Sequence, residues 1–171
     1  MSLLAIRTYP EGVLKKKALP VAELNGDLQR LIDDMFETMY AAPGIGLAAP
    51  QVGVSRRLLV IDLSLKGEEG KNYPPIVLVN PEIVEAEGEV ETEEGCLSLP
   101  GLTGAVQRAE KVFVKGLTRE GKPLELEASG LLAIALQHEI DHLEGTLILD
   151  RLSPIKRAFY KKKIAKKSLT L

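Results

Sequence analysis

Residues 129–145 read SGLLAIALQHEIDHLEG, and the interpretation of the whole chain turns on them. The apolar residues recur at helical spacing, with Ser129 placed to cap the start and Gly145 to end the helix. Positions four apart lie on one helix face, so His138 and His142 aim two imidazoles at one point, with Glu139 beside them. Two imidazoles can hold a divalent metal, and an adjacent carboxylate can move protons for a metal-bound water. The chain has only these two histidines. That concentration favours a metal site over a pair of histidines merely packed on an apolar helix.

Two histidines do not complete such a site, because catalytic centres of this kind usually take three protein ligands and leave a position for water. In HExxHxxGxxH the third ligand would be a histidine at 148, but that residue is Ile148, although Gly145 is in place. Other patterns use a glutamate some twenty residues downstream, whereas the only acids after His142 are Glu144 and Asp150. The third ligand is therefore expected upstream, and the single cysteine, Cys96, is the candidate. A lone cysteine is more often a buried, inert thiol; its standing here comes from the helix's need for a partner.

The 171 residues suffice for one domain with a proper core, spanning 1–171. Apolar content of 45% and charged content of 27% are ordinary for a globular protein. No apolar run approaches a membrane span, the N-terminus does not read as a signal peptide, and one cysteine cannot form an internal disulfide. A cytoplasmic setting without membrane contact is expected. The net charge of −2 hides an asymmetry. Eight of the 22 basic residues fall in 151–171, which has no acid, so the body carries 14 bases against 24 acids. A tail of +8 on a body of −10 suggests contact with a polyanion.

Residues 1–24 read as irregular. Asn25 caps an expected helix to about Tyr40, with Leu28, Leu31, Ile32, Met35, Phe36 and Met39 on one stripe. GIGLAAPQ, residues 44–51, reads on composition as a loop. Arg57–Ser64 reads as a buried strand, 65–75 as an exposed loop, and Ile76–Asn80 as a strand ending at Pro81, with Ile83–Val90 continuing the sheet. The acids Glu82, Glu85, Glu87, Glu89, Glu91, Glu93 and Glu94 largely alternate, as on a solvated strand face. Val106–Leu117 reads as one strand, turning at Arg119–Gly121 into a hairpin partner at Pro123–Glu127. Ser153 and Pro154 open a basic C-terminal helix at about 153–168. The expected class is α+β, with mostly antiparallel strands packed around the HEIDH helix.

Taken together and in order, GIGLAAPQ (44–51), EGCLS (94–98) and QHEIDHLEG (137–145) resemble the three signature motifs of the peptide deformylase family. That family removes the formyl group from the N-terminal formyl-methionine of new bacterial proteins. The resemblance implies that Cys96, His138 and His142 are metal ligands and Glu139 the catalytic acid/base. Gln51 and the backbone N–H of Leu97 would stabilise the oxyanion. It also implies Fe(II) as the metal, with zinc, nickel or cobalt able to substitute, and formyl-methionyl nascent peptides as substrates.

Leu131, Ile134 and Ala135 stack on the His138 face of the helix. With Ile45 they can form a methionine slot, although core packing is the stronger reading for Leu131. Gly46 and Gly95 would let the substrate backbone add like a strand. Asp141 faces off the metal axis and is expected to be structural, paired with Arg108. The basic helix is either a solvated end or, as in family members with such a helix, a ribosome-docking element dispensable for free peptides. Two rivals are a HExxH metallopeptidase, disfavoured by the missing downstream ligand, and a ribosome-associated binding protein whose metal is structural.

Overall fold

The run Leu58–Ile61 is apolar at every position because it is buried on both sides. In the computed structural model, which describes residues 2–69 and 73–169, it forms strand β2, after β1 (Gly46–Ala48). Leu59 and Ile61 join one buried cluster, while Leu58 and Val60 join another. The sheet around it is antiparallel, in the order β1-β2-β3-β6-β7, with β3 at Ile76–Glu87, β6 at Lys111–Leu117 and β7 at Pro123–Ser129.

Helix α1 (Gly26–Ala41) covers one side. The Asn25 side chain accepts from the Leu28 N–H at 3.0 Å, as an N-cap does. The stripe Leu28, Ile32, Met35 and Met39 is buried with Leu47, Leu58, Val60 and Val79. Helix α2 (Gly130–Leu143), the HEIDH helix, covers the other side with Leu132, Ala133, Leu136, Ile140 and Leu143 against Leu59, Ile61, Leu78, Val112 and Val114. Ser129 occupies its N-cap position, but its side chain makes no capping bond. Gly145 follows the last turn with φ +76°, as expected of a helix stop.

A separate two-stranded hairpin pairs β4 (Val90–Cys96) with β5 (Leu99–Arg108). This splits the single strand expected over 106–117. Arg108 is buried, Ala109 and Glu110 break the ladder, and the chain passes into β6 of the other sheet. Strand β3 also differs, because it runs through Pro81 instead of ending there. Asn80 takes φ +52° and its side chain bonds both the N–H and the carbonyl of Val21, so the register slips between Val79 and Glu82 around the proline. GIGLAAPQ is not a plain loop: it supplies β1 and a short 3₁₀ turn, Ala49–Val52. Residues 1–24 hold one such turn, Gly12–Lys15. In the 65–75 loop, residues 70–72 lie outside those described, and Ser64–Glu69 form short turns.

The hairpin packs Leu99, Leu102 and Val106 against α3 (Ile148–Arg151) and α4 (Pro154–Leu169). The tail is therefore no loose appendage. Tyr160 is buried, donates to the Pro100 carbonyl at 3.2 Å and meets the ring of Tyr9. Deleting 151–171 would uncover this third cluster, contrary to the expectation that the tail is dispensable. Among the described residues no helix is long and apolar enough to cross a membrane.

The exit from α2 is sterically tight. A Cβ at Gly145 would lie 2.6 Å from the Lys15 carbonyl oxygen, and its φ is left-handed. We expect Gly145→Ala to cost about 1–3 kcal/mol, read as a lower urea midpoint. An unchanged midpoint would contradict this packing.

Candidate functional site

The site forms where the buried helix α2 meets the end of β4. His138 and His142 share a helix face, with ring centroids 5.2 Å apart. The β4–β5 register shifts between Gly95 and Cys96, so the strand is irregular just where the thiol faces the helix. Cys96 Sγ lies 3.3 Å from His142 Nε2, and the ligand atoms of Cys96, His138 and His142 all lie within 4.8 Å of one another. Donors bound tetrahedrally at 2.0–2.3 Å stand roughly 3.5 Å apart, so this spacing suits a single ion. Among the described residues the cluster comprises these three, and three protein donors are a number that can leave a fourth position for water.

The surrounding groups prepare these donors. His138 Nδ1 faces Glu94 Oε1 at 3.1 Å, which leaves its Nε2 for a cation. Burial pushes His142 well below the usual imidazole range, helped by the positive charges of His138 and Arg108, so it stays neutral as a ligand must. Burial also opposes charge on His138, but the Glu139 carboxylate, Cys96 and Glu94 outweigh it and raise its affinity for a proton. A cation held here would displace that proton. Burial lifts the Glu139 carboxyl to about 7, against the attraction of His138 and Arg108. That value suits a group that both takes and gives a proton near neutrality. Its Oε1 is buried without a hydrogen-bond partner. Gly46 makes room for it, since a Cβ there would sit 2.5 Å from Glu139 Oε2.

Gln51 is buried and fixed in orientation. Its Oε1 accepts from the Ala48 N–H at 3.0 Å, and its Nε2 donates to Ser98 Oγ at 3.1 Å while lying 3.7 Å from Cys96 Sγ. The amide N–H groups therefore point toward the thiol end of the site. A cleft of about 730 Å³ opens beside it. One wall carries Ile45 and Gly46, the other Gly95 and Leu97, and Ile134 and Ala135 of α2 lie between, next to His138 and Glu139. Leu131 does both jobs named for it: it lines the cleft and packs against the core.

At the site, too, an assignment from sequence is overturned. Glu94 is not part of a solvated acidic face. Its side chain is 8% exposed and takes a fork from Arg108, with Nη2 at 2.7 Å from Oε1 and Nε at 2.9 Å from Oε2. Thr92 Oγ1 adds a bond at 2.5 Å. The signal was present: Glu91 and Glu93 alternate, and Glu94 falls out of step onto the inner face. The expected pair forms, with Arg108 Nη1 at 2.7 Å from Asp141 Oδ2.

The polypeptide deformylase family model matches residues 3–158. A peptide deformylase of Thermodesulfovibrio yellowstonii is 59% identical over 167 residues, covering 98% of this chain and 99% of the relative. The crystal structure of a Legionella pneumophila peptide deformylase superposes with TM-score 0.88 at 52% identity, covering 98% of this chain and 96% of that one. That of the Ehrlichia chaffeensis enzyme in complex with actinonin gives 0.90 at 42% identity, with 98% of each chain covered.

Burial works to raise the Glu94 carboxyl, but the bonds from Arg108, His138 and Thr92 prevail and hold it at about 2, against an ordinary 4.5. A depressed carboxyl contributes stability that is present above the unfolded value and lost as pH falls through the folded one. We expect the stability gap between wild type and Glu94→Gln to be full above about pH 4.5 and to close toward pH 2. Urea titrations across that range check it, and a gap independent of pH would contradict it.

Proposed function

The chain belongs to the peptide deformylase family, and from that membership we propose that it removes the N-formyl group from formyl-methionine at the start of newly made polypeptides, releasing formate. The observation that carries this reading is the convergence of Cys96, His138 and His142 within 4.8 Å, beside a buried Glu139 and an apolar cleft. We read residues 1–171 as one catalytic domain, working in the cytoplasm where nascent chains emerge.

Cys96, His138 and His142 would hold the divalent cation, which when bound supplies a Lewis acid that polarises a carbonyl and lowers the pKa of water toward about 7. Glu139 accepts a proton from the attacking water and passes it to the leaving amine. As the water oxygen bonds to the formyl carbon, charge develops on the carbonyl oxygen. The Gln51 amide and the Leu97 backbone N–H donate there, and losing one such donor typically costs about 3–4 kcal/mol. We propose Fe(II) as the working metal, with zinc, nickel or cobalt able to replace it. Affinity generally rises along the series from iron to nickel, so isolated protein need not carry the cell's metal.

The substrate backbone would lie between two strand edges. β1 is the terminal strand of the large sheet and β4 belongs to the separate hairpin, and the cleft runs between them at Gly46 and Gly95. The methionine side chain would enter the slot of Ile45, Ile134 and Ala135. Helix α4 carries seven basic residues and no acid, with Lys161, Lys162 and Lys163 exposed. We propose that it docks on the ribosome through phosphate contacts.

Formate release from formyl-Met-Ala-Ser by anaerobically Fe(II)-loaded protein tests the main reading. We expect wild type to be active and Glu139→Ala to lose at least about 100-fold; no formate despite bound metal would contradict it. Ala135→Phe should fill the slot and raise KM for methionine substrates, whereas unchanged kinetics would remove the slot. Reversing Lys162 and Lys163 to glutamate should weaken ribosome binding and flatten its salt dependence, with turnover of the free peptide intact. Equal ribosome binding would end the docking proposal.

A further inference from the structure

Behind the site runs a chain of alternating charges that reaches the surface. Glu94 Oε1, 3.1 Å from His138 Nδ1, is gripped by the Arg108 fork. The third nitrogen of Arg108, Nη1, donates to Asp141 Oδ2 at 2.7 Å. Asp141 in turn receives a second fork, from Arg151: Nε to Oδ2 at 2.6 Å and Nη2 to Oδ1 at 2.8 Å. Exposure of the side chains rises outward, from 1% at Arg108 to 15% at Asp141 and 41% at Arg151.

We propose that Arg151 is a positioning residue for His138, acting through Asp141, Arg108 and Glu94; this rests on the reading of His138 as a metal ligand. Asp141 Oδ2 is shared by two guanidinium groups, so each limits the hold of the other. With Arg151 present, the two carboxylates face two guanidinium groups and their charges balance, with the outer guanidinium at the surface. Removing Arg151 leaves one guanidinium to answer both carboxylates. Arg108 is then drawn toward Asp141 on α2 and slackens its grip on Glu94. The Glu94 carboxylate is what fixes the ring of His138, so the disturbance ends at the ligand.

Two features make Arg151 more than a surface charge. Its contact with Asp141 is bidentate, the geometry in which an Arg–carboxylate pair is strongest. Its backbone is also held on both sides, because Arg157 Nη2 donates to the carbonyls of Asp150 and Leu152, both at 3.2 Å. The fork is therefore presented from a fixed point on the short helix α3.

The test uses the full chain loaded with Co(II), whose visible spectrum reports ligand geometry, together with the rate of cobalt loss to a chelator. Outer partners of metal ligands typically change affinity about 10–100-fold, and attenuation through two further groups leaves about 3–10-fold. We expect Arg151→Ala to speed cobalt loss by that factor and to shift the d–d bands. Arg151→Lys, which restores charge but not the fork, should fall between the two. In an Asp141→Asn background, Arg151→Ala should add nothing, since its route is already cut. A spectrum and release rate equal to wild type, even with a lowered urea midpoint, would overturn the relay and leave a purely structural residue. So would the full effect persisting in the Asp141→Asn background. Failure of wild type itself to bind cobalt would instead remove the metal site and the relay together.

Discussion

Helix α2 carries two imidazoles and a carboxylate into an apolar interior, and the rest of the structure answers that burden. Charged or unpaired polar groups are costly there unless they are bonded, neutralised or bound to a cation. His142 is kept neutral by burial, the Glu139 carboxyl is raised to about 7 by the same burial, and His138 is steadied by Glu94. Each solution belongs to one group, yet all depend on the helix being buried between the five-stranded sheet and the hairpin. Packing and chemistry are thus one constraint.

The hairpin β4–β5 is the second half of that constraint. It brings Cys96, Glu94 and Arg108 to the helix from positions 30 to 48 residues upstream of the two histidines. A slip of one residue in its register would turn both Cys96 and Glu94 away from the helix, onto the outer face. The ion pairs of Arg108 with Glu94 and Asp141 pin that register to α2. Leu102 and Val106, on the same buried face as Arg108, anchor the hairpin with Leu99 to α3 and α4.

Much of this was legible in the sequence. The helical stripe of α1, the apolar run of β2 and the i, i+4 histidines each carry a local periodic signal, and the three motifs together carried the family. The failures share a cause, which is that they depend on tertiary pairing. Residues 106–117 look continuous because β-propensity does not register that Arg108 turns inward to meet two carboxylates. Glu94 reads as surface because its partners are distant in sequence. β3 crosses Pro81 because Asn80 accepts a left-handed conformation and bonds Val21, a contact 59 residues away. GIGLAAPQ has no periodic signature, so its strand appears only once β2 lies beside it.

X-ray absorption at the edge of the bound metal, on zinc- or cobalt-loaded protein, tests the central claim most directly. We expect one sulfur at about 2.3 Å and two imidazole nitrogens at about 2.0–2.1 Å, with the sulfur shell lost in Cys96→Ser. A shell of oxygen and nitrogen alone in the wild type would contradict the convergence of β4 and α2 on one ion.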